Sequence, residues 1–515
     1  FCYCSFASFA SKFCRVFACT NLAFSVSSDT NSPNESMQYS QLMQDKDDSE
    51  EEIYDGTPTS HGDAEKDSET SPLCVDRSMD PECATSKSGS DHQLTTSCQT
   101  MMHLLKGNIG TGVLAMPNAF ANAGIVVGSV GVLLMGFVCI HCMHILVRCN
   151  HILSKKIGCR TLDFAGVAQN SFKFGPQRLR RFSDTAKTVV NTFLLMTQFG
   201  FCCVYFVFVA KSLEEILRGL GTSLNIYTCL AILLPLMILY NFIRSLRTLA
   251  LASTFANVLQ ILGMGFIFYN LLQDMPSVSE RPFFLGWERL PLYFGTAIYA
   301  FEGIGIVLPL ENEMQNPQDF VGINGVLNTG MMIVVCLYTA IGFFGYLKYG
   351  SDVRGSITLN FPASPLNEVI RVIFAVSIFL SYALQLYVPM RIIWPALAKR
   401  LSLDQAKYSP RKKLAAELGL RTLLVCLTFV LAAAIPQLDL FISLVGALAS
   451  SSLALILPPV LELFTMWDAD CSKPMWCLLC LKNITISVFG VVGFVTGTYT
   501  SINQIVYCFS NTCNG

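Results

Sequence analysis

Two apolar stretches, Leu104-Leu-Lys-Gly-Asn-Ile-Gly-Thr-Gly-Val-Leu-Ala-Met-Pro117 and Tyr299-Ala-Phe-Glu-Gly-Ile-Gly-Ile-Val-Leu-Pro309, place a Gly-x-Gly in membrane-length sequence, with a proline four or five residues later. Interrupting a helix inside hydrocarbon frees backbone N–H and C=O groups, each costing several kcal/mol unless a polar partner satisfies it, so such breaks must line a cavity rather than face lipid. For a single motif, close helix packing is the simpler account of the glycines. Here each motif opens a block of about five apolar spans, and matched breaks in corresponding halves are the sequence mark of an inverted-repeat secondary transporter, with a solute as partner for the freed groups.

Spans of about 20 apolar residues recur near 101–123, 125–147, 188–212, 226–243, 248–272, 291–311, 324–347, 367–394, 415–435, 438–463 and 484–507. The chain therefore reads as an all-α polytopic membrane protein with eleven spans. Composition agrees: 52% of residues are hydrophobic and 14% charged, although one end is strongly polar, so the remainder is very apolar. The net charge of −1, without a basic stripe or zinc-finger spacing, argues against a nucleic-acid partner. Many of the 21 cysteines lie inside spans, as in Phe201-Cys-Cys-Val-Tyr205 and at Cys336, where cysteine acts as a small hydrophobe rather than a disulfide partner. Cys477 and Cys480 form a C-x-x-C beside Cys471, but no second half of a zinc site follows. No metal or organic cofactor is expected. The pair Cys508 and Cys513 lies close enough in sequence for a disulfide.

Residues 28–99 are rich in Ser, Thr, Asp, Glu and Pro and include the acidic run Asp45-Lys-Asp-Asp-Ser-Glu-Glu-Glu52, too polar to bury a core. Residues 1–99 are thus expected to be a disordered acidic tail, 100–507 the membrane domain and 508–515 a short C-terminal tail. Lys12 and Arg15 interrupt the apolar Phe1 to Phe24, a poor fit to a signal peptide; the expectation is a non-native or truncated start over 1–36, with Met37 as initiator. Arg148, Lys155, Lys156, Arg160, Lys173, Arg178, Arg180, Arg181 and Lys187 crowd the 148–187 loop, and Arg391, Lys399, Arg400, Lys407, Arg411, Lys412, Lys413 and Arg421 the 391–421 region. Both regions belong to the cytoplasm by the positive-inside rule, which puts the N-terminal tail inside and the C-terminus outside. The loop after the sixth span fits less well, carrying Glu311, Glu313 and Asp319 without a basic residue.

Four ordered runs carry a resemblance: His103-Leu-Leu-Lys-Gly-Asn-Ile-Gly-Thr-Gly112, Gln198-Phe-Gly-Phe-Cys-Cys-Val-Tyr-Phe-Val-Phe208, Ala300-Phe-Glu-Gly-Ile-Gly-Ile-Val-Leu-Pro-Leu-Glu-Asn312 and Gly355-Ser-Ile-Thr-Leu-Asn360. From about residue 100 onward the chain resembles the proton-coupled amino acid transporter family of the amino acid/auxin permease superfamily. The resemblance implies a LeuT-like fold, a 5+5 inverted repeat with discontinuous helices 1 and 6 plus an eleventh transmembrane helix, and symport of small neutral amino acids with protons. It leaves open the plasma membrane or a lysosomal or endosomal membrane. The family's extracellular disulfide is in doubt here, because Lys348 to Leu366 contains no cysteine.

The residues suggest how such a site works. N–H groups around Ile109, Gly110, Thr111 and Gly112 would open the second half-helix, whose N-terminus carries roughly +0.5 elementary charge and favours a carboxylate. Freed carbonyls at Phe301, Glu302 and Gly303 and at the end of the first half-helix, with Gly305 allowing close approach, would take the ammonium. His103 occupies the position of the family's proton-sensing histidine, and an ordinary pKa of about 6.5 suits it to that task. Glu302 is the second proton-coupling candidate, since an acid at mid-membrane costs about 2.5–3.5 kcal/mol unless paired, protonated or hydrated. Lys106 is either a partner for these groups or a snorkelling side chain. One pH unit supplies about 1.4 kcal/mol and 100 mV about 2.3 kcal/mol per charge, so one inward proton can concentrate a neutral solute. Ser377, Ser381 and Tyr382 in the eighth span and Tyr205 in the third read more simply as packing residues than as site groups. The alternatives are a proton-independent or sodium-coupled carrier, or a nutrient-sensing, receptor-like transporter with little flux that signals to partners through its acidic tail. No nucleophile, base and orienter assemble from the motifs, so an enzyme is disfavoured. Asn34-Glu-Ser and Asn483-Ile-Thr both fall on the cytoplasmic side and are expected to stay unglycosylated; a glycosidase-sensitive mobility shift lost in Asn483→Gln would overturn the orientation.

Overall fold

The computed structural model describes residues 94–159, 161–244, 246–400, 410–467 and 472–510. The acidic tail over 1–93, with Met37 and Asn34, and also Arg160, Lys407, Cys471 and Cys513 lie outside the described residues. Among the described residues the chain is helical apart from one isolated parallel bridge between Thr95 and Met314. The first span is divided into α1 (Ser97–Asn108) and α2 (Thr111–Ala123), and α3 (Ile125–Ile157) follows. A short α4 (Phe164–Lys173) leads into α5 (Ser183–Gly219), α6 (Ile226–Asn241) and α7 (Leu246–Leu271). The sixth span is likewise divided, into α8 (Leu290–Ala300) and α9 (Ile304–Asn312), and is followed by α10 (Gln318–Val321), α11 (Val326–Tyr349), α12 (Pro365–Arg400) and α13 (Pro410–Ala434). Two π turns, Gly446–Ser450 and Ser452–Ile456, join α14 (Leu438–Val445) to α15 (Leu457–Thr465), and α16 (Lys473–Ser510) comes last. Nine helical stretches among the described residues are long and apolar enough to cross a membrane, and the 16-residue α6 is a shorter apolar helix.

The helices outrun the spans expected from hydropathy, because backbone hydrogen bonding continues into water where the apolar side chains stop. Arg148, Lys155 and Lys156 therefore sit on α3, and Arg391, Lys399 and Arg400 on α12, rather than in loops. Arg421 is no loop residue: it is 6% exposed within α13, its Nη1 donating to Asn241 O at 3.1 Å and its Nη2 to Glu417 Oε1 at 3.2 Å. Arg244 holds the other Glu417 oxygen at 2.6 Å. At the chain ends, α1 already begins at Ser97, capped by Thr96 and Gln99 in a reciprocal capping box, and Cys508 belongs to α16 rather than to a tail.

Burial is arranged for lipid. On α7 and α16 large apolar residues such as Phe255, Ile261, Val488, Val495 and Tyr499 point outward, which in water would mark an interaction surface and here covers the hydrocarbon face. The inner stripe of α16 is Asn483, Gly490, Gly493, Gly497 and Ser501; these small residues let it approach α8 and the π turns. Asn483 is 0% exposed, so its sequon is shielded in the folded protein whichever side it occupies. The Gly355–Asn360 run is structural: Arg371, 4% exposed, donates to Thr358 O at 3.2 Å and to Phe361 O, while Asn360 Nδ2 donates to Asp352 O at 2.7 Å. Glu311, expected in the loop after the sixth span, belongs to α9 and is partnered by His151, while in the loop the Thr95 N–H donates to Glu313 O at 2.8 Å.

The tightest crossing lies between α8 and the first π turn, where a Cβ on Gly446 would stand 1.9 Å from Gly295 O. Backbone cannot yield as a flexible side chain does. Gly446→Ala is expected to destabilise the protein by about 1–3 kcal/mol and to lower its melting temperature in detergent, whereas Gly265→Ala, with nothing within 4 Å, should melt as wild type.

Candidate functional site

Neither break uses a positive φ; what Gly112 and Gly303 supply is the missing Cβ where the helix ends meet. After Asn108 the chain turns extended at Ile109 (φ −82°, ψ 95°) and Gly110 (φ −147°, ψ −142°), and α2 restarts at Thr111 with no side-chain cap. After Ala300 the chain tightens, Glu302 N donating to Tyr299 O at 3.3 Å and Gly303 N to Phe301 O at 2.8 Å, and α9 restarts at Ile304, also without a side-chain cap. Each restart exposes the unsatisfied N–H groups and partial positive charge of a helix N-terminus, and each stop exposes carbonyls and partial negative charge.

The two breaks meet head to tail. A Cβ on Gly112, at the start of α2, would lie 2.7 Å from Ala300 Cα at the end of α8; one on Gly303, at the start of α9, would lie 2.7 Å from Asn108 Oδ1 at the end of α1. Every N-terminus thus faces the other helix's C-terminus, and the opposed partial charges stabilise the crossing. Thr111 Oγ1 and Tyr299 OH share a hydrogen bond at 2.9 Å. From α11, the Tyr338 hydroxyl reaches Asn108 O at 2.5 Å and Ala300 O at 2.7 Å.

Beside this crossing is a cavity of about 20 Å³ lined by Gly107, Asn108, Gly110, Thr111, Gly112, Phe201, Tyr205, Tyr299, Ala300 and Gln385, room for about one water molecule. Gln385 Nε2 donates to Tyr205 OH at 3.2 Å, and the Phe201 ring lies 4.8 Å from that of Tyr299. None of the lining side chains is charged.

Of the residues expected at the site, Gly110, Thr111 and Gly112 line the cavity, with Ile109 beside them. Phe301 is fully buried against the Tyr338 ring at 5.0 Å. Glu302 is buried beside Ser450 of the first π turn, outside hydrogen-bond geometry, and both its Oε2 and Ser450 Oγ are without a partner. Gly303 faces Asn108, and Gly305 faces Leu194 of α5, to which a Cβ would stand at 3.4 Å. The carbonyls of Asn108, Ala300 and Phe301, at the stops expected to receive an ammonium, are already accepting hydrogen bonds. His103 lies on the exposed side of α1, bordering a separate groove with Asn257 and Ile261 of α7; Lys106 and Glu313 are the charged groups nearest it. Lys106 does not snorkel: its Nζ is buried and has no hydrogen-bond partner.

The eighth span contributes a different residue from those its hydroxyls suggested. Ser377 donates to Ala256 O at 2.9 Å, Ser381 to Ser377 O at 2.9 Å, and Tyr382 OH pairs with Thr428 Oγ1 at 2.6 Å, all packing roles. Gln385, one turn beyond Ser381, is the one that lines the cavity, and an amide in mid-span was the available signal. Tyr338 carries no such signal, since nothing local separates it from the other 16 of the 17 tyrosines. Cys202, Cys203, Cys477 and Cys480 are free thiols.

Residues 94–503 match the family described as transmembrane amino acid transporter protein. The chain is 38% identical over 422 residues to the proton-coupled amino acid transporter-like protein pathetic of Drosophila melanogaster, covering 82% of this chain and 87% of that one. It is 27% identical over 422 residues to the probable amino acid transporter skat-1 of Caenorhabditis elegans, covering 81% and 91%. Among solved structures it is similar to Mhp1, a nucleobase-cation-symport-1 family transporter in a closed conformation, at 13% identity and a TM-score of 0.44, covering 81% and 92%.

Because Gly112 abuts backbone whereas a Cβ on Gly110 would meet only the Tyr205 hydroxyl, at 3.3 Å, the two glycines should differ in tolerance. Gly112→Ala is expected to force the breaks apart at a cost of roughly 1–3 kcal/mol; Gly110→Ala should cost less, and melting curves of the purified variants would rank them.

Proposed function

The chain belongs to the family of transmembrane amino acid transporter proteins, and on that premise we propose that it is a secondary active symporter carrying small neutral amino acids together with protons. The observation that carries this reading is the uncharged cavity set against the uncapped N-terminus of α2. A site without fixed charge suits a ligand whose own charges balance. The carboxylate of a zwitterion would take the N–H groups of Gly110, Thr111 and Gly112. Its ammonium would take the side-chain oxygens of Tyr205 and Gln385, because the carbonyls of Asn108 and Ala300 are held by Tyr338. The contracted volume and aromatic walls favour small side chains, and the cavity must widen to admit any of them.

In this reading the two divided spans are the discontinuous helices 1 and 6 of a LeuT-like 5+5 repeat with an eleventh helix added, and the N-terminus is cytoplasmic in a plasma, lysosomal or endosomal membrane. Proton coupling is divided between two places. His103 faces the groove beside α7, where a proton can arrive from an aqueous side. Glu302 sits at the second break with a free oxygen, so its protonation state bears directly on how α8 and α9 meet the π turn. The name of the Drosophila relative supports the proton as coupling ion.

The test is inward current and radiolabelled alanine uptake in oocytes without sodium, at external pH of about 5.5 and about 7.5, on either side of the ordinary histidine range. Wild type is expected to show acid-stimulated current that His103→Ala abolishes at unchanged surface expression, while Glu302→Gln keeps binding but loses the pH response. Uptake without current at either pH would replace symport by facilitated transport.

A further inference from the structure

The Tyr338 hydroxyl stands between the two helix stops, 2.5 Å from Asn108 O and 2.7 Å from Ala300 O. A phenol has one proton to donate, so the two carbonyls share it. Each carbonyl ends a half-helix and carries part of that helix's negative charge, which the facing restart offsets, while the carbonyl oxygen itself still needs a donor or a cation away from water. In transporters with broken helices, half-helix C-termini are where a coupling cation is coordinated. A third oxygen of the same break, Asn108 Oδ1, is buried without a partner and faces Gly303. The space beside the two carbonyls is taken by the fully buried Tyr338 side chain.

We propose that the Tyr338 hydroxyl stands in for a monovalent cation at the junction of the two broken helices, so that α1 and α8 are held together without sodium. Tyr338 is a positioning residue: it touches the two stops and fixes where the restarts of α2 and α9 point. Removing the hydroxyl leaves two orphan carbonyls; removing the whole side chain leaves a space lined by oxygens and open to sodium.

Three variants test this: Tyr338→Phe keeps the ring and loses the donor, while Tyr338→Ser and Tyr338→Asn open the space. Melting temperature is measured on purified protein in sodium chloride against an equal concentration of choline chloride. Wild type and Tyr338→Phe are expected to give the same value in both salts, Tyr338→Phe melting lower than wild type, and at least one of the opened variants is expected to melt several degrees higher in sodium. In cells, Tyr338→Phe should lose at least tenfold in uptake at normal surface expression, and the sodium-responsive variant should show uptake stimulated by sodium, which a purely packing role would not produce. Wild-type melting and uptake in Tyr338→Phe, or the absence of a sodium shift in both opened variants, would overturn the proposal. The uptake arm rests on the transport function proposed above. The melting arm does not, so a protein that carries no amino acid but gains a sodium shift on opening residue 338 would refute that function and leave this inference standing.

Discussion

Everything in this molecule follows from the need to satisfy backbone hydrogen bonds where water is absent. Most of the chain meets it with uninterrupted helix. The two places that do not are brought together, so that what one break lacks the other supplies. Gly112 against Ala300 and Gly303 against Asn108 set each positive helix end on a negative one. The remaining carbonyls at the two stops are held by the single hydroxyl of Tyr338. The uncapped α2 N-terminus and the small uncharged cavity beside it are what that exchange leaves unsatisfied.

The supporting structure is built to hold that crossing in place. α8 is gripped from one side by α2 and from the other by α14, the π turns and α16, and these contacts run through glycine and serine because only small residues bring backbones this close. The first π turn is part of the same device, since Ser450 at its end lies beside Glu302. Such turns are common where a helix must present function rather than only pack.

Away from Lys106 and Glu302 several acidic side chains are paired with cations. Glu462, 1% exposed, is met by Lys482 at 2.7 Å and Arg148 at 3.4 Å, tying α15 to α16 and α3. Glu417 is met by Arg421 and Arg244, and Glu368 by Arg371. Buried carboxylates of this kind are tolerable only with partners. Glu302 is different: it lies at a break, has a free oxygen and has no cation beside it, which is why it is a candidate for moving a proton rather than for holding helices together.

Sequence alone determined the class of protein, the run of apolar helices and the location of both breaks to within a residue or two, because hydropathy and glycine spacing are local and lipid gives the backbone few other solutions. It also marked Gly110, Thr111 and Gly112, which do line the cavity. It overestimated the loop after the second span, since Arg148, Lys155 and Lys156 end the apolar stretch without ending the helix. What only the tertiary structure decided is which groups from distant helices converge on the breaks: Tyr338 and Gln385 arrive from α11 and α12, His103 and Gly305 turn away, and the carbonyls expected to wait for an ammonium already have a partner. Those outcomes depend on how the helices are rotated and crossed, set by small-residue contacts summed over the whole bundle, and no window of neighbouring residues contains that information.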